Sequence, residues 1–484
     1  MSAFKKIFLK KPSSPLFWLL MGLVFKGIPF LMVILNHPYR DIQGIWGATQ
    51  ADDSSYLLPI DNLLRYGTYT PDFRMPGYGI VYLLFRLVFT PTVACNALIL
   101  LQVILASASV YYLSLAARNI FHNDVPFYFT FYLFLVCPFS NFFDAYIASE
   151  SLCSSILIFG IYFFTQYFNI YKGKYLFFAG LFLAWAMFIR PVFGGVLAIC
   201  CLMILIQRNS LFTLKIKHAI LFLIPLFLLD GAWTYRNYQT HKKFIPFTTT
   251  GAFFPNAANS YPQPLFEFTQ SWGGACSLTN KLADVNWFQY YYPGMTPILH
   301  FDSLPDDIYT SAFKKDSLVR LKKMIIALRN PSIDTITAAV YQHDLRAKLT
   351  EYKLSVRKEK PFLYFIKAPL KMVAVMLYGP VTRNYLERGK SIPFLGKLII
   401  AFNYFIYLAI LLSGLAGIVL LFIQGLQHNY LLFIAPSIVL YTILIHPYMF
   451  RFFDSRFILP VFPFIILCSA CTLSKLLQIK LKPE

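Results

Sequence analysis

Apolar and polar positions divide this chain into long apolar runs, separated by short polar linkers and by two long polar stretches. A run of roughly 17 to 25 mostly apolar residues crosses a hydrocarbon layer as a helix. Ten such helices are predicted, at about 15–36, 94–116, 127–141, 149–167, 175–189, 192–206, 218–235, 398–422, 430–445 and 458–474. Several are short, so tilt or partial burial is expected of them. The segment KPFLYFIKAPLKMVAVMLYGPV, 360–381, is apolar enough to be an eleventh span. Its Lys367, Lys371 and prolines favour an amphipathic helix lying in the outer interface instead.

Composition agrees with this pattern. Hydrophobic residues make up 57% of the 484, charged residues 13%, and mean hydropathy is +0.57. Soluble domains carry about 25% charged residues, so an ordinary soluble protein is excluded. The fold class expected is an all-α polytopic membrane protein of about 10–11 transmembrane helices, with juxtamembrane helices and a mixed outer loop domain. A cleaved signal peptide is not expected, because the first apolar run is long enough to span and has no clear small-residue cleavage site.

Charge orients the helices. Lys5, Lys6, Lys10 and Lys11 place the N-terminus in the cytoplasm under the positive-inside rule. Ten spans return the C-terminus, with Lys475, Lys480 and Lys482, to the same side, and the linkers bearing Lys172, Lys174, Arg208, Lys215 and Lys217 agree. Residues 37–93 and 236–397 then lie outside. This gives an N-terminal transmembrane module (1–235) with its first outer loop (37–93), a large extracytoplasmic loop domain (236–397) and C-terminal transmembrane helices (398–484). The loop domain holds 22 Lys plus Arg against 11 Asp plus Glu. That excess suits an anionic membrane surface or an anionic lipid-linked substrate; an ordinary solvated basic domain would look the same. Nothing points to a nucleic-acid partner. Of eight cysteines only Cys276 falls outside apolar runs, and the CxxC spacing at Cys468 and Cys471 lies inside a predicted span, so neither a disulfide framework nor a cysteine metal site is expected.

Acidic residues are scarce, which makes the stretch QADDSSYLLPIDNLLRYGTYTPDFRMPGYG (50–79) notable. Residues 51–66 read as a short helix ended by Gly67, and 77–89 as a second helix too short to span comfortably. A Pro76-Gly77 bend joins them, holding Asp52 at the outer water–lipid boundary. By itself an Asp pair there fits a simple helix start equally well. Other ionisable residues fall inside or at the ends of apolar runs, where they are costly and tend to be functional. Arg190 follows FLAWAMF and precedes Pro191; it needs a partner, either a substrate phosphate or a carboxylate such as Glu150. Lys26 sits mid-span and either snorkels or pairs with Asp230. Glu150 and Asp144 lie at an outer membrane end, with a substrate or metal role set against helix capping. His446 reads as an interfacial histidine. Residues 253–298 are rich in aromatic and amide groups that suit sugar stacking, or the loop domain's own core.

The order of these features resembles the glycosyltransferase C (GT-C) superfamily, in particular protein O-mannosyltransferases and the lipid A aminoarabinose transferase. An outer D-D-x-x-Y (52–56) follows the first span, and G-x-Y (67–69) leads to R-x-P-G-Y (74–78). CPFSNFFDAYIASESL (137–152), FIRPVF (188–193), WTYRNY (233–238) and RFFDSRFILPVFP (451–463) resemble later signatures in the expected order, whereas 250–360 has little counterpart. The resemblance implies that Asp52 is the catalytic base and Asp53 the second acidic position. It implies a polyprenyl-phosphate-linked sugar as donor and a lipid, glycan or protein as acceptor, at an active site outside the cytoplasm of the cell membrane.

The residue types fit that chemistry. A lipid-phosphate sugar already carries its leaving group, so a carboxylate must accept the acceptor's proton and cations must meet the charge on the departing phosphate. Arg190 and Arg236 are candidates for the second task, with Lys242, Lys243, Arg451 and Arg456 behind them; Tyr56, Arg74, Tyr78 and Glu150 complete the substrate-binding set. The residues assign no cofactor, and a divalent cation stays open. Two rivals share the hydropathy pattern. A glycan polymerase or ligase would lean on outer-loop arginines, and a lipid-linked glycan flippase would show repeated halves or broken midplane helices, which the sequence lacks.

Overall fold

A computed structural model of the chain describes residues 14–36, 44–47, 53–141, 143–207, 211–247, 261–274, 306–328, 330, 332–378, 394–427, 429–451 and 454–477. Among these the secondary structure is helices and turns, with no sheet. The chain divides into two compact units, 1–249 with 380–442 and 458–484, and 250–379 with 443–457.

The first unit is a bundle. Its helices are α1 (Pro15–Asn36), α2 (Asp53–Tyr66), α3 (Gly77–Arg86), α4 (Pro91–Phe121), α5 (Asp124–Val136), α6 (Ser149–Ile170), α7 (Gly173–Ile189), α8 (Gly194–Ile206) and α9 (Phe212–His241). The second unit adds α10 (Pro262–Ser271), α11 (Lys315–Leu328), α12 (Thr335–Glu359) and α13 (Ala368–Tyr378). Back in the bundle come α14 (Phe394–Gln427) and α16 (Phe462–Leu476); between them lies α15 (Ile434–Ile445), whose residues from Ile443 are assigned to the second unit.

Among the described residues seven helices are long and apolar enough to cross a membrane, or eight if α5 and the bent segment after it count as one span. Two shorter apolar helices, Gly173–Ile189 and Pro191–Ile206, fall at the fifth and sixth predicted spans. All ten predicted apolar positions are therefore helical, and the chain is a multi-pass membrane protein. The 360–378 segment is not among the helices that meet the spanning criterion.

Packing in the bundle relies on small residues, as it must where lipid tails are as apolar as the helices. A Cβ at Gly417 of α14 would fall 2.1 Å from the Cys468 carbonyl oxygen of α16, so the two backbones touch there. Trp18 of α1 fits edge-on among Phe127, Tyr128 and Phe131 of α5, with ring centroids 4.6 to 6.0 Å apart. The second unit has its own core, in which Phe268 of α10 and Tyr352 of α12 close on Phe313 at 4.8 and 5.0 Å. Tyr261, Phe268 and Trp272, from the aromatic stretch read for sugar stacking, are buried in this core. Residues 253–260 and 275–298 of that stretch lie outside the described residues.

Candidate active site

Helix α2 begins at Asp53 and ends where predicted. Gly67 takes φ +70°, and its N–H closes the helix on the Leu63 carbonyl. An acidic residue in the first turn is favoured by the helix dipole, and one Asp53 oxygen accepts the Ser54 N–H at 2.7 Å. Asp52 lies outside the described residues. The described turn 44–47 upstream is fixed to α4: Asn96 accepts the Trp46 N–H at 2.8 Å and donates to the Gly44 carbonyl at 2.9 Å.

The centre of the site is Tyr56, 6% exposed. Its hydroxyl bonds the Ser149 hydroxyl at 2.9 Å, and Arg74 Nη1 donates to it at 2.8 Å while the guanidinium lies 4.3 Å above the ring. Tyr56 also packs on Tyr78, with centroids 5.0 Å apart. Burial above all raises the Tyr78 hydroxyl well above its ordinary pKa, and the charges of Glu150 and Asp53 act in the same direction. That hydroxyl donates to Gln102 of α4 at 2.8 Å. The Gln102 amide in turn donates to the Tyr146 carbonyl at 2.7 Å and, more weakly, to that of Asp144 at 3.4 Å. One fully buried side chain thus ties the segment after α1 to the segment between α5 and α6.

Next to Ser149, Glu150 opens α6 and pairs with Arg190 at the end of α7, Nη1 to Oε1 3.0 Å. Their side chains are 14% (Arg190) and 6% (Glu150) exposed. Of the two partners predicted for Arg190, the carboxylate is in place. Gly77 brings α3 against this end of α7. A Cβ there would sit 2.3 Å from the Phe188 carbonyl carbon and 2.5 Å from the Ile189 nitrogen. The Pro-Gly bend is therefore a backbone contact one residue from Arg190.

Lys26 does not pair with Asp230. Its ammonium meets Asp144 at 2.9 Å, over the Phe134 ring, and Asp144 also accepts the Ser151 hydroxyl. Asp230 instead accepts the Phe247 N–H at 2.9 Å, holding the chain after α9 back along the helix. Pairing partners 118 residues apart are set by packing, which apolar periodicity does not encode.

Arg236 is engaged on both terminal nitrogens. Nη1 reaches Asp72 at 2.7 Å and the Asn237 side chain at 3.0 Å, and Nη2 donates to the Tyr69 carbonyl at 2.7 Å. His241 reaches the same Asp72 oxygen at 2.6 Å. Burial raises the Asp72 carboxyl, but the hydrogen bonds and charges of Arg236 and His241 outweigh it and hold the group below its ordinary value. Lys242 is exposed and ends α9 in the left-handed region, φ +55°.

Arg451 and Arg456 belong to the second unit. Arg451, also left-handed at φ +52°, lies 4.0 Å over the Tyr364 ring, and Arg456 pairs with Asp454 at 3.1 Å. His446 is buried and stacked on Phe457, 4.5 Å between centroids. Among the described residues no group of three or more His, Cys, Asp or Glu gathers as a metal centre would require.

The structure thus joins Tyr56, Arg74, Tyr78, Glu150 and Arg190 in the first unit, with Asp53 on the helix that carries Tyr56. Gln102, Ser149 and Ser151 were missed as site residues. Gln102 is a polar residue inside an apolar run, and that was its available signal.

No family model matches the sequence, and no curated protein sequence matches it. Among solved structures, the Archaeoglobus fulgidus oligosaccharyltransferase, tethered to an acceptor peptide containing the NVT sequon, aligns with 99% of this chain and 50% of its own at 12% identity, TM-score 0.48. The chain spans about half the length of that enzyme. A likeness of this size is too low to assign an activity.

Proposed function

We propose that this protein is a GT-C-type integral membrane glycosyltransferase that moves a sugar from a polyprenyl-phosphate donor to an acceptor on the extracytoplasmic side. The observation that carries the reading is the joining, around Tyr56, of the acidic start of α2, Arg74 and the Glu150–Arg190 pair. Scarce carboxylates and half-buried arginines meet at one place in the bundle, as attack on a phosphate-activated sugar requires.

In this reading Asp52, with Asp53 beside it, accepts the proton of the attacking hydroxyl or amine. The nucleophile forms a bond to the anomeric carbon as the carbon–oxygen bond to phosphate breaks, and the electron pair leaves with the phosphate. A single displacement with one base inverts the anomeric centre, unlike the double displacement of retaining glycosidases. Arg190 meets the charge of the leaving phosphate, and Glu150 orients its guanidinium. A guanidinium offers two parallel donors to phosphate, which a lysine does not. Arg236 and Asp72 hold the loop before the Pro-Gly bend, and Lys242, Arg451 and Arg456 are additional cations for the donor. The loss of a general base typically costs about 10² to 10⁴-fold. The test is release of free polyprenyl phosphate from a lipid-linked sugar by purified protein given acceptor. Asp52→Asn should abolish most of that release; turnover at the wild-type rate would remove Asp52 as base.

A further inference from the structure

The segment from Pro361 to Met376 in the second unit shows two faces. Leu363, Ala368, Met372 and Met376 are buried, at spacings of five, four and four residues. The five-residue step is a π turn over Leu363–Lys367, in which the Ala368 N–H reaches the Leu363 carbonyl. Pro369 has no N–H to give the Phe365 carbonyl, so an ordinary α-turn is broken there. The wider turn keeps the four buried residues in line with the unit's core.

The other face carries Phe362, Phe365, Ile366 and Leu370, which are 66%, 45%, 43% and 55% exposed. Four neighbouring large apolar side chains outside the spanning helices require a cover. Around them stand Arg357, Lys358, Lys360, Lys367 and Lys371. The carboxylates at hand are Glu359 and Asp307; the Asp307 carboxylate accepts from Lys367, while Lys360 donates only to the Asp307 main-chain carbonyl. The border therefore stays cationic. Arg357 lies 5.7 Å from the Phe365 ring, at the edge of the strip.

We infer that this strip lies in the headgroup layer of the membrane that the chain spans, with Phe362, Phe365, Ile366 and Leu370 in lipid and the cations against anionic headgroups. An apolar face with a basic rim is the pattern of a helix lying in an interface. A second copy is a poorer occupant, because a twofold contact would set this rim against itself. A span is poorer still, because the opposite face is already committed to protein and Lys367 is bonded to Asp307. The inference stands apart from the glycosyl-transfer reading.

The test uses the full chain with Cys276→Ser, in liposomes containing phosphatidylglycerol. Nitroxides are placed in turn by Phe365→Cys, Ile366→Cys, Leu370→Cys and Lys358→Cys, and collisions with oxygen and with a water-soluble nickel chelate are measured. The three strip positions should favour oxygen severalfold more than position 358, at shallow and similar depths. Replacing phosphatidylglycerol by phosphatidylcholine should shift them towards nickel contact. Nickel contact at all four positions from the start, or depth increasing steadily from 365 to 370 towards the bilayer centre, overturns the inference. Protection of the strip from both reagents, as in a protein interface, also overturns it. Strip positions unmoved by the lipid exchange refute the role of anionic headgroups.

Discussion

Removing one partner of the Glu150–Arg190 pair should be far worse than removing both. The pair is 3.0 Å apart, with 14% and 6% side-chain exposure. An isolated charge left at such a site has little water to solvate it, and breaking a buried pair from one side typically costs about 3–5 kcal/mol. Taking out both charges removes the attraction and the desolvation penalty together, so the double variant should recover most of the loss. We therefore expect Arg190→Ala and Glu150→Ala each to lower the melting temperature in detergent, by about 6–10 °C at roughly 2 °C per kcal/mol for a large protein. The Glu150→Ala/Arg190→Ala double variant should melt above either single variant, its loss falling well short of the two single losses summed. Activity separates structure from chemistry. Arg190→Lys keeps a cation for Glu150 and should melt close to wild type, yet it should bind donor more weakly because the two-pronged contact is gone. Losses that simply add would refute the coupling. Normal donor affinity in a folded Arg190→Lys protein would refute the phosphate role.

Gly77→Ala should destabilise by about 1–3 kcal/mol, the usual cost of overpacking, and also slow transfer, because the clash with Phe188 and Ile189 displaces the backbone beside Arg190; melting and turnover measured together check this. The loop clasp should be acid-sensitive. The Asp72 carboxyl is lowered on folding, so its contribution is complete above the ordinary carboxylate value near 3.8 and is lost as pH falls through the lower folded value. Asp72→Asn should lack that acid limb, as read by proteolysis of the 68–76 loop across pH. Lys26→Met alone should destabilise by leaving Asp144 uncompensated, and Asp144→Asn should restore part of the loss, as measured by thermal melting. Finally, a cysteine at Lys315 should react with an impermeant maleimide in intact cells carrying Cys276→Ser; protection there would reverse the proposed sidedness.

Much of the bundle could be read directly from the chain, because a membrane helix needs an apolar run of fixed length whatever its neighbours are. All ten runs are helical, and the helix from Asp53 stops at Gly67, where a left-handed residue is needed. The Arg190–Glu150 option could also be anticipated, since a buried cation requires an anion. What the chain did not disclose were contacts made by tertiary packing. Lys26 has one carboxylate on α9 and another after α5 within the same broad membrane region, and only the placement of α1 against α4 and α5 selects Asp144. The engagement of Arg236 by Asp72 and Tyr69 was equally hidden, because its partners lie more than 160 residues away. Gln102 was passed over because one amide in a long apolar helix leaves the hydropathy pattern intact.

That amide has a mechanical consequence. Two loops that leave a bundle at separate points would ordinarily wander independently, and the gap between them would accumulate both errors. Gln102 gives them a common datum: Tyr78 from one loop and Tyr146 from the other register on the same rung of a membrane-crossing rod. The spacing between the loops is then set by the dimensions of one side chain. A substrate seated between them would meet a gauge fixed by the bundle, and tilting α4 in a thinner or thicker bilayer would move both jaws together without opening them.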